Sequence, residues 1–203
     1  MKNFKYLFLI SLVALCGLAP TASSAGDLLN ISLEWKASHK PKDMDPVDIT
    51  AFQNVKLVVA PFTDFRKNQA EIGKNIEKGE DKALLVTTKD NVGKWLTERV
   101  AETLGQFGVG VVKSGGNATL EGDIISFYVV ETGTYSGTVA FKWRLKSASG
   151  SVLWEGMTSD DAHAFGRSYK ADNYFETLSN GTMGAVHALL RTDSFLNALK
   201  KAK

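Results

Sequence analysis

The chain has 203 residues, of which 44% are hydrophobic and 23% charged, with 24 basic residues against 22 acidic ones. This length and composition are typical of one globular domain with its own core. Nucleic-acid binding requires a clustered surplus of lysine and arginine. The near-balance of charge therefore predicts no nucleic-acid partner.

The first 25 residues have the three-part pattern of a secretory signal peptide. Lys2 and Lys5 supply positive charge, an apolar run covers residues 6–18, and a stretch of small residues ends at Ala25. The apolar run is too short for a membrane-spanning helix, which needs about 20 residues. The sequence predicts export with cleavage after Ala25. Because both surplus positive charges belong to the leader, the exported chain is formally neutral.

Cys16, the sole cysteine, leaves a second interpretation of the leader open. A lipoprotein leader ends at a cysteine that is cut free and acylated, but Leu15 stands where a small residue is expected. An acylated Cys16 would hold the protein at a membrane surface through its acyl chains, which is the only membrane contact that we predict. Cleavage after Ala25 instead leaves a domain without a disulfide or a cysteine metal site.

The first elements follow from hydrophobic periodicity. Residues 29–35 alternate apolar and polar side chains, as a half-buried strand does. Residues 37–53 are polar and predict a loop, whereas the β-branched residues 55–60 predict an interior strand. Residues 64–83 are charged and contain two glycines, so we expect a mobile loop or an irregular hairpin there.

A core-facing helix is predicted after Thr88, the expected N-cap, with Asp90 in the first turn. Apolar residues with helical spacing form its stripe: Val92, Trp95, Leu96, Val100, Leu104 and Phe107. The helix should end near Gly105 or Gly108, and residues 109–112 predict a short strand.

The clearest strand pattern is that of residues 139–146, where apolar side chains alternate with polar or small ones. One face of this strand is therefore buried and the other carries charge, which favours an antiparallel sheet with one solvated face. Residues 119–131 and 151–157 flank it as further strands, and the short turns between the three predict a meander.

A final helical region covers residues 172–199, and we expect a bend at Gly181 and Gly184 because glycine lowers helix stability by about 1 kcal/mol relative to alanine. The fold class is therefore α+β, with a mixed, largely antiparallel sheet and two main helices packed on one face. The predicted division is a signal peptide, an N-terminal strand with a polar loop, and one α+β domain, over residues 1–25, 26–54 and 55–203.

Motifs for catalysis or metal binding are missing from the sequence. There is no Gly-x-Ser-x-Gly elbow, His-Glu-x-x-His motif or phosphate-binding glycine loop. His39, His163 and His187 are far apart and lack metal-ligand spacing. Asp160, Asp161 and His163 gather two acids and an imidazole, which suit cation binding or acid–base work; a polar strand end or turn is the alternative. We predict no catalytic residue, cofactor or metal.

Three further residues are candidates for binding. Asp64 and Arg66 are two positions apart after an interior strand, where they can bind a ligand or fix the local backbone. Arg167 can meet a carboxylate or phosphate through two parallel hydrogen bonds, or pair with an acid of a nearby loop.

Short segments spread over residues 55–200 form an ordered series. They are residues 58–66 with Ile72-Gly73, then 93–96, 122–124 and 150–154, and finally 164–168 with 174–179. Together they resemble the YajG-type envelope lipoproteins of bacteria, whose leaders usually carry a small residue where this chain has Leu15. The resemblance implies a periplasmic protein associated with the outer membrane, without an assigned reaction.

These observations predict a non-catalytic accessory or binding protein of the periplasm or outer membrane that has an envelope protein as its partner. A sheet edge is one surface at which such a partner binds. The alternative is an exported small-ligand binder or enzyme that uses the acidic and arginine residues around Asp64 and Arg66, or those between Asp160 and Arg167.

Overall fold

The computed structural model describes residues 28–202. The predicted cleavage site at Ala25 and the alternative lipidation site at Cys16 lie outside these residues. Within residues 28–202, no helix is both long and apolar enough to span a membrane. The buried core of this region lies between Leu33 and Ala202, so a chain that starts at Gly26 contains all of it.

The regular elements are a sheet and three α-helices. In chain order they are β1 (Leu57–Val59), β2 (Thr63–Asp64), β3 (Glu71–Asn75), β4 (Leu84–Thr87), α1 (Val92–Gln106), β5 (Ala118–Glu131), β6 (Thr134–Ser147), β7 (Val152–Phe165), α2 (Ala171–Leu190) and α3 (Asp193–Lys201). Short 3-10 helices cover Pro41–Asp43, Ile49–Phe52 and Glu80–Lys82.

Strands β5, β6 and β7 are each 14 residues long and form the predicted antiparallel meander. The predicted alternation in β6 is confirmed, because Phe141, Trp143 and Leu145 are fully buried while Lys142 is exposed on the other face. We call these three strands the continuous side of the sheet. Strand β7 runs to Phe165, well beyond the predicted end at residue 157.

The other flank of β5 is built from short pieces, which we call the interrupted side. Strands β1, β2 and β3 pair in parallel with the start, middle and end of β5. Strand β4 then pairs antiparallel with β3, so the order across the sheet is β4-β3-β5-β6-β7. The irregular hairpin expected within residues 64–83 is therefore present as β3 and the turn that leads to β4.

The strand predicted over residues 29–35 is reduced to one bridge, between Ile31 and Thr88. Leu28 and Ile31 bond to β4 through Thr87, whose N–H donates to the Leu28 carbonyl and whose carbonyl accepts from Ile31, both at 2.9 Å. The backbone N–H of Leu33 donates to the side-chain carboxylate of Asp90 and not to the backbone of a strand. This segment therefore covers the outer edge of β4 and then leaves the sheet.

Helix α1 has the predicted buried stripe but begins later than expected. Its N-cap is Asn91, whose side chain accepts a 2.8 Å hydrogen bond from the Lys94 N–H. Thr88, the predicted N-cap, instead donates to the Ile31 carbonyl and accepts from the N–H of Asp90. The strand expected over residues 109–112 is a single bridge.

The bend expected at Gly181 and Gly184 is absent, because α2 is continuous through both glycines. The helical region is interrupted only between Leu190 and Asp193. The glycines lie where α2 packs closely against the sheet. A Cβ atom at Gly181 would lie 2.8 Å from Val139, and one at Gly184 would lie 2.2 Å from the Asp160 carboxyl carbon. The helices pack on the sheet as predicted, which confirms the α+β class.

Candidate functional site

Asp64 and Arg66, predicted as a binding pair, bond to each other. The Nε of Arg66 donates to Asp64 Oδ1 at 2.9 Å and its Nη2 donates to Oδ2 at 2.7 Å. Both side chains are almost buried, with exposed fractions of 7% for Arg66 and 10% for Asp64. This is the two-bond geometry that arginine and carboxylate prefer.

The remaining donors of Arg66 bond to backbone carbonyls. Nη1 donates to Glu71 at 2.8 Å and to Phe127 at 3.2 Å, and Nη2 donates to Gln69 at 2.6 Å. With the two bonds to Asp64, all five guanidinium N–H groups are used. They lie at the gap between β2 and β3, where β5 has a register shift after Ile124. No strand pairs with β5 in this gap, and Arg66 supplies hydrogen-bond donors there in place of a strand backbone. The geometry therefore supports the backbone-fixing interpretation.

Asp160, Asp161 and His163 do not converge. Of the two alternatives, a turn is wrong and a polar strand end fits, because these residues pair with β6 in the last part of β7. On the solvated face, Asp161 accepts a 2.7 Å bond from Thr138 and His163 Nδ1 lies 3.2 Å from Ser136 Oγ. Asp160 points to the other face, under α2. No group of three or more potential metal ligands occurs within the described part of the chain.

The environment of Asp160 affects its charge. Burial raises the pKa of its carboxyl group above the ordinary aspartate value, and the neighbouring Asp161 carboxylate raises it further. No hydrogen bond to the Asp160 side chain is present within residues 28–202. Asp160 is therefore an inward-pointing charge on an edge strand, which is one of the ways in which proteins discourage indiscriminate strand pairing.

Arg167 is exposed, with 73% of its side chain accessible, and its Nε lies 3.9 Å from Glu77 Oε1. It borders a cavity of about 390 Å³. Asp64 and Arg66 each border a different cavity. The structure therefore does not bring these three residues, or the acids of β7, into one pocket.

A buried acid that the sequence interpretation missed lies at the end of β5. Glu131 is fully buried and accepts hydrogen bonds from the Tyr174 hydroxyl at 3.0 Å and the Tyr169 N–H at 3.1 Å. Burial and the Glu131 carboxylate hold the pKa of Tyr174 well above its ordinary value. The period-2 pattern of β5 could have found this site, since Glu131 falls in register with buried Phe127 and Val129.

Charges on the solvated face of the sheet compensate each other. Arg144 bonds to Glu121 at 2.7 Å and to Glu155 at 2.8 Å, and Lys146 bonds to Glu121 at 2.5 Å. The Lys146 and Arg144 hydrogen bonds lower the pKa of Glu121. This network joins three strands and leaves no strongly charged patch at its centre.

The outer edge of β7 is the feature best suited to binding. Within residues 28–202, the backbone hydrogen bonds of β7 run to β6 alone. Helix α3 packs near the start of β7, where Trp154 donates to Ser194 at 2.9 Å, and the strand continues from there to Phe165, which is 96% exposed. An open sheet edge can add an extended segment through main-chain hydrogen bonds.

Acidic residues accompany this edge. Glu155, Asp160 and Asp161 lie on β7, and of these only Glu155 has an ion pair within the described residues. The single titratable base of the strand is His163. The edge therefore combines unpaired backbone groups with a local excess of negative charge.

No protein-family model matches the chain, and neither does any curated protein. Among solved structures, a DUF330 protein from Xanthomonas campestris is similar with 11% identity and a TM-score of 0.50, over 68% of this chain and 82% of its own. The PelC dodecamer of Paraburkholderia phytofirmans has 13% identity and a TM-score of 0.44, over 73% and 94%. A lipoprotein candidate of Caulobacter crescentus has 15% identity and a TM-score of 0.40, over 54% and 82%. The likeness to the DUF330 protein is one of fold.

Proposed function

We propose that this chain is an exported, envelope-associated protein of the YajG type that acts without catalysis, by binding another envelope protein. The leader of residues 1–25 supports export, and the ordered segments between residues 55 and 200 support the family. Periplasmic location at the outer membrane is part of the proposal.

The open edge of β7 is the observation that carries this function. The main path of the sheet ends at β4 and β7, and residues 28–31 bond to only one of these two strands, β4. A partner that adds a strand to β7 would gain main-chain hydrogen bonds along much of its 14-residue length. Side chains of the added segment would then alternate between the solvated face and the helix-covered face.

The acids of β7 determine which segment fits. Two copies of β7 placed side by side would bring Asp160 and Asp161 of each together, and like charges across a strand pair are unfavourable. An extended segment with lysine or arginine at alternating positions would instead pair with Asp161 on the solvated face. We therefore expect a basic extended segment of an envelope protein as the partner.

Site-specific crosslinking tests this function. The chain from Gly26 has no cysteine, so Ser159→Cys on β7 or Leu85→Cys on the covered edge β4 introduces the only thiol. Each is exported, coupled to a photo-crosslinker and irradiated in intact periplasm. We expect a defined adduct from position 159, which mass spectrometry identifies, and none from position 85.

Charge reversal provides the decisive comparison. Asp161→Lys in the Ser159→Cys background should reduce the adduct strongly, whereas Lys113→Glu, an exposed change outside the sheet, should not. Equal adducts from positions 159 and 85, or an adduct unaffected by Asp161→Lys, would reject β7 as the partner site. The intact mass of the exported protein separately decides between an N-terminus at Gly26 and one at acylated Cys16.

A further inference from the structure

A second surface lies between the helices and the segment that precedes β1. Residues 35–42 pass over α1 and α2 and leave an open groove of about 540 Å³, which we call the strap groove. Its apolar lining comes from Trp35, Ala37, Pro41 and Met183. A volume of this size is within the range of small-ligand sites, about 300–1,000 Å³.

Residues 35–42, which we call the strap, are held to α2 by two polar side chains of that helix. The Lys36 N–H donates to Ser179 Oγ at 3.0 Å, and the Ser38 N–H donates to Asn180 Oδ1 at 2.9 Å. Asn180 Nδ2 also donates to Ser38 Oγ at 2.9 Å. Ser179 and Asn180 are buried. The wall of the groove is therefore fixed by internal bonds.

The rim of the groove is cationic. Lys40 and Lys42 are exposed and line it, and within residues 28–202 neither has an ion pair. His39 lies beside them. Two acids are close to this rim: Asp43 follows Lys42 in the chain, and the charge of Asp160 interacts with that of His39. Neither acid lines the groove, so an anion would meet lysine first.

We infer that the strap groove binds a single-chain anionic amphiphile, of which a long-chain fatty-acid carboxylate is the simplest form. The acyl chain would lie against Trp35, Ala37 and Pro41, which are partly exposed, so contact removes apolar surface from water. The carboxylate would meet Lys40 and Lys42, whose charges have no competing partner. This site shares no residue with β7 and does not depend on partner binding there.

Fluorescence quenching tests the site, because bromine atoms quench a tryptophan only when they lie close to it. The chain from Gly26 is titrated with dibrominated stearate below its critical micelle concentration. We expect saturable quenching whose amplitude Trp35→Phe reduces strongly, with the remainder coming from Trp95, whose ring centroid lies 5.9 Å from that of Trp35. Trp154, which packs against α3, serves as the control, since Trp154→Phe should leave the saturable quenching in place.

The rim charges are tested by substitution. Lys40→Gln with Lys42→Gln should weaken binding on the order of tenfold, at about two- to fivefold for each exposed charge pair. The matched pair Lys113→Gln with Lys142→Gln removes two exposed charges elsewhere and should leave affinity unchanged. A lysophosphatidylcholine with the same brominated chain, which has no net charge, should bind more weakly than the fatty acid.

Three results would overturn the inference. They are non-saturable quenching of the wild-type chain, saturable quenching of equal amplitude in Trp35→Phe and Trp154→Phe, and equal affinity of the Lys40/Lys42 and Lys113/Lys142 variants for the fatty acid. Because the strap groove shares no residue with β7, these measurements leave the crosslinking test of partner binding independent.

Discussion

The two sides of the sheet are built by different means. On the continuous side, three strands of 14 residues pair through long ladders, each with a single register shift. On the interrupted side, β1, β2 and β3 contact β5 over only a few residues each, and side chains bond across the gaps. The stability of one side is thus spread over many equivalent bonds, whereas that of the other is concentrated in a few residues.

The two outer edges show the reverse pattern: the edge of the interrupted side is covered, whereas the edge of the continuous side is open. The interrupted side ends at β4, which residues 28–31 cover, and the continuous side ends at β7, which is open. The strand with the most regular pairing on its inner flank is therefore also the one with unpaired groups on its outer flank. Regular strands provide the straight edge that strand addition needs.

The largest expected effect is at Arg66. Arg66→Met leaves Asp64 as a buried charge without its ion-pair partner, bonded only by the backbone N–H of residue 66, and removes the guanidinium donor from three carbonyls. We therefore expect a loss of about 3–5 kcal/mol in the free energy of unfolding. Urea denaturation followed by circular dichroism measures it. Arg167→Met, at an exposed arginine, should change stability by less than about 0.5 kcal/mol. Similar losses for both would contradict the concentration of stability at Arg66.

Tyr174 joins the two sides through Glu131. Tyr174→Phe removes the donor to this buried carboxylate, and a hydrogen bond to a charged group contributes about 1.5–3 kcal/mol. Tyr128→Phe is the matched control, since its hydroxyl also donates to a carboxylate, that of Glu71, but at a partly exposed position. We expect a clearly smaller loss there, and equal losses would show that burial of Glu131 is unimportant.

Gly184 tests how closely α2 packs on the open-edge strand. Gly184→Ala places a methyl group against Asp160, and such overpacking costs about 1–3 kcal/mol. The Gly184→Ala/Asp160→Ala double variant should recover part of this loss, because the clash is removed. Gly105→Ala has open space around it and should instead stabilise α1, by up to about 1 kcal/mol. Thermal denaturation of the four chains gives the comparison.

The smallest effect is the pH dependence due to Asp160. Since its pKa is raised above 3.8 in the folded protein, stability from its protonated form is complete below that pH and is lost as the pH rises through the raised value. Asp160→Asn does not titrate, so its stability relative to wild type should rise over this window, by less than about 1 kcal/mol for a half-buried group. Asp161→Asn controls for net charge. Parallel pH profiles for wild type and Asp160→Asn would refute the assignment.

The sequence predicts best the elements whose periodicity is local. The meander follows from strict alternation around Phe141 and Trp143, and α1 follows from its apolar stripe. The sequence left ligand binding and backbone fixing open for Arg66 and could not identify its distant acceptor, because Phe127 is 61 positions away and meets Arg66 only at the gap beside β5. The partners of Glu131 are likewise distant, at Tyr169 and Tyr174.

Two errors have a common cause. A bend was expected at Gly184 from helix propensity, and a strand end or a turn was expected at Asp160 from polarity. Instead α2 is continuous, β7 runs on to Phe165, and the two residues face each other across α2 and β7. Gly184 leaves room for the Asp160 side chain. A glycine inside a helix and an inward-pointing aspartate inside a strand are each explained by the presence of the other. Tertiary packing overrides propensity at such positions.

The covered edge of β4 limits how many chains can join one sheet. Fibres grow when a sheet can add strands at both edges, because every added strand presents a new edge to the next. Here one edge is already occupied by residues 28–31. The strand addition that we propose at β7 would therefore add one segment per chain and give a one-to-one complex with a defined end.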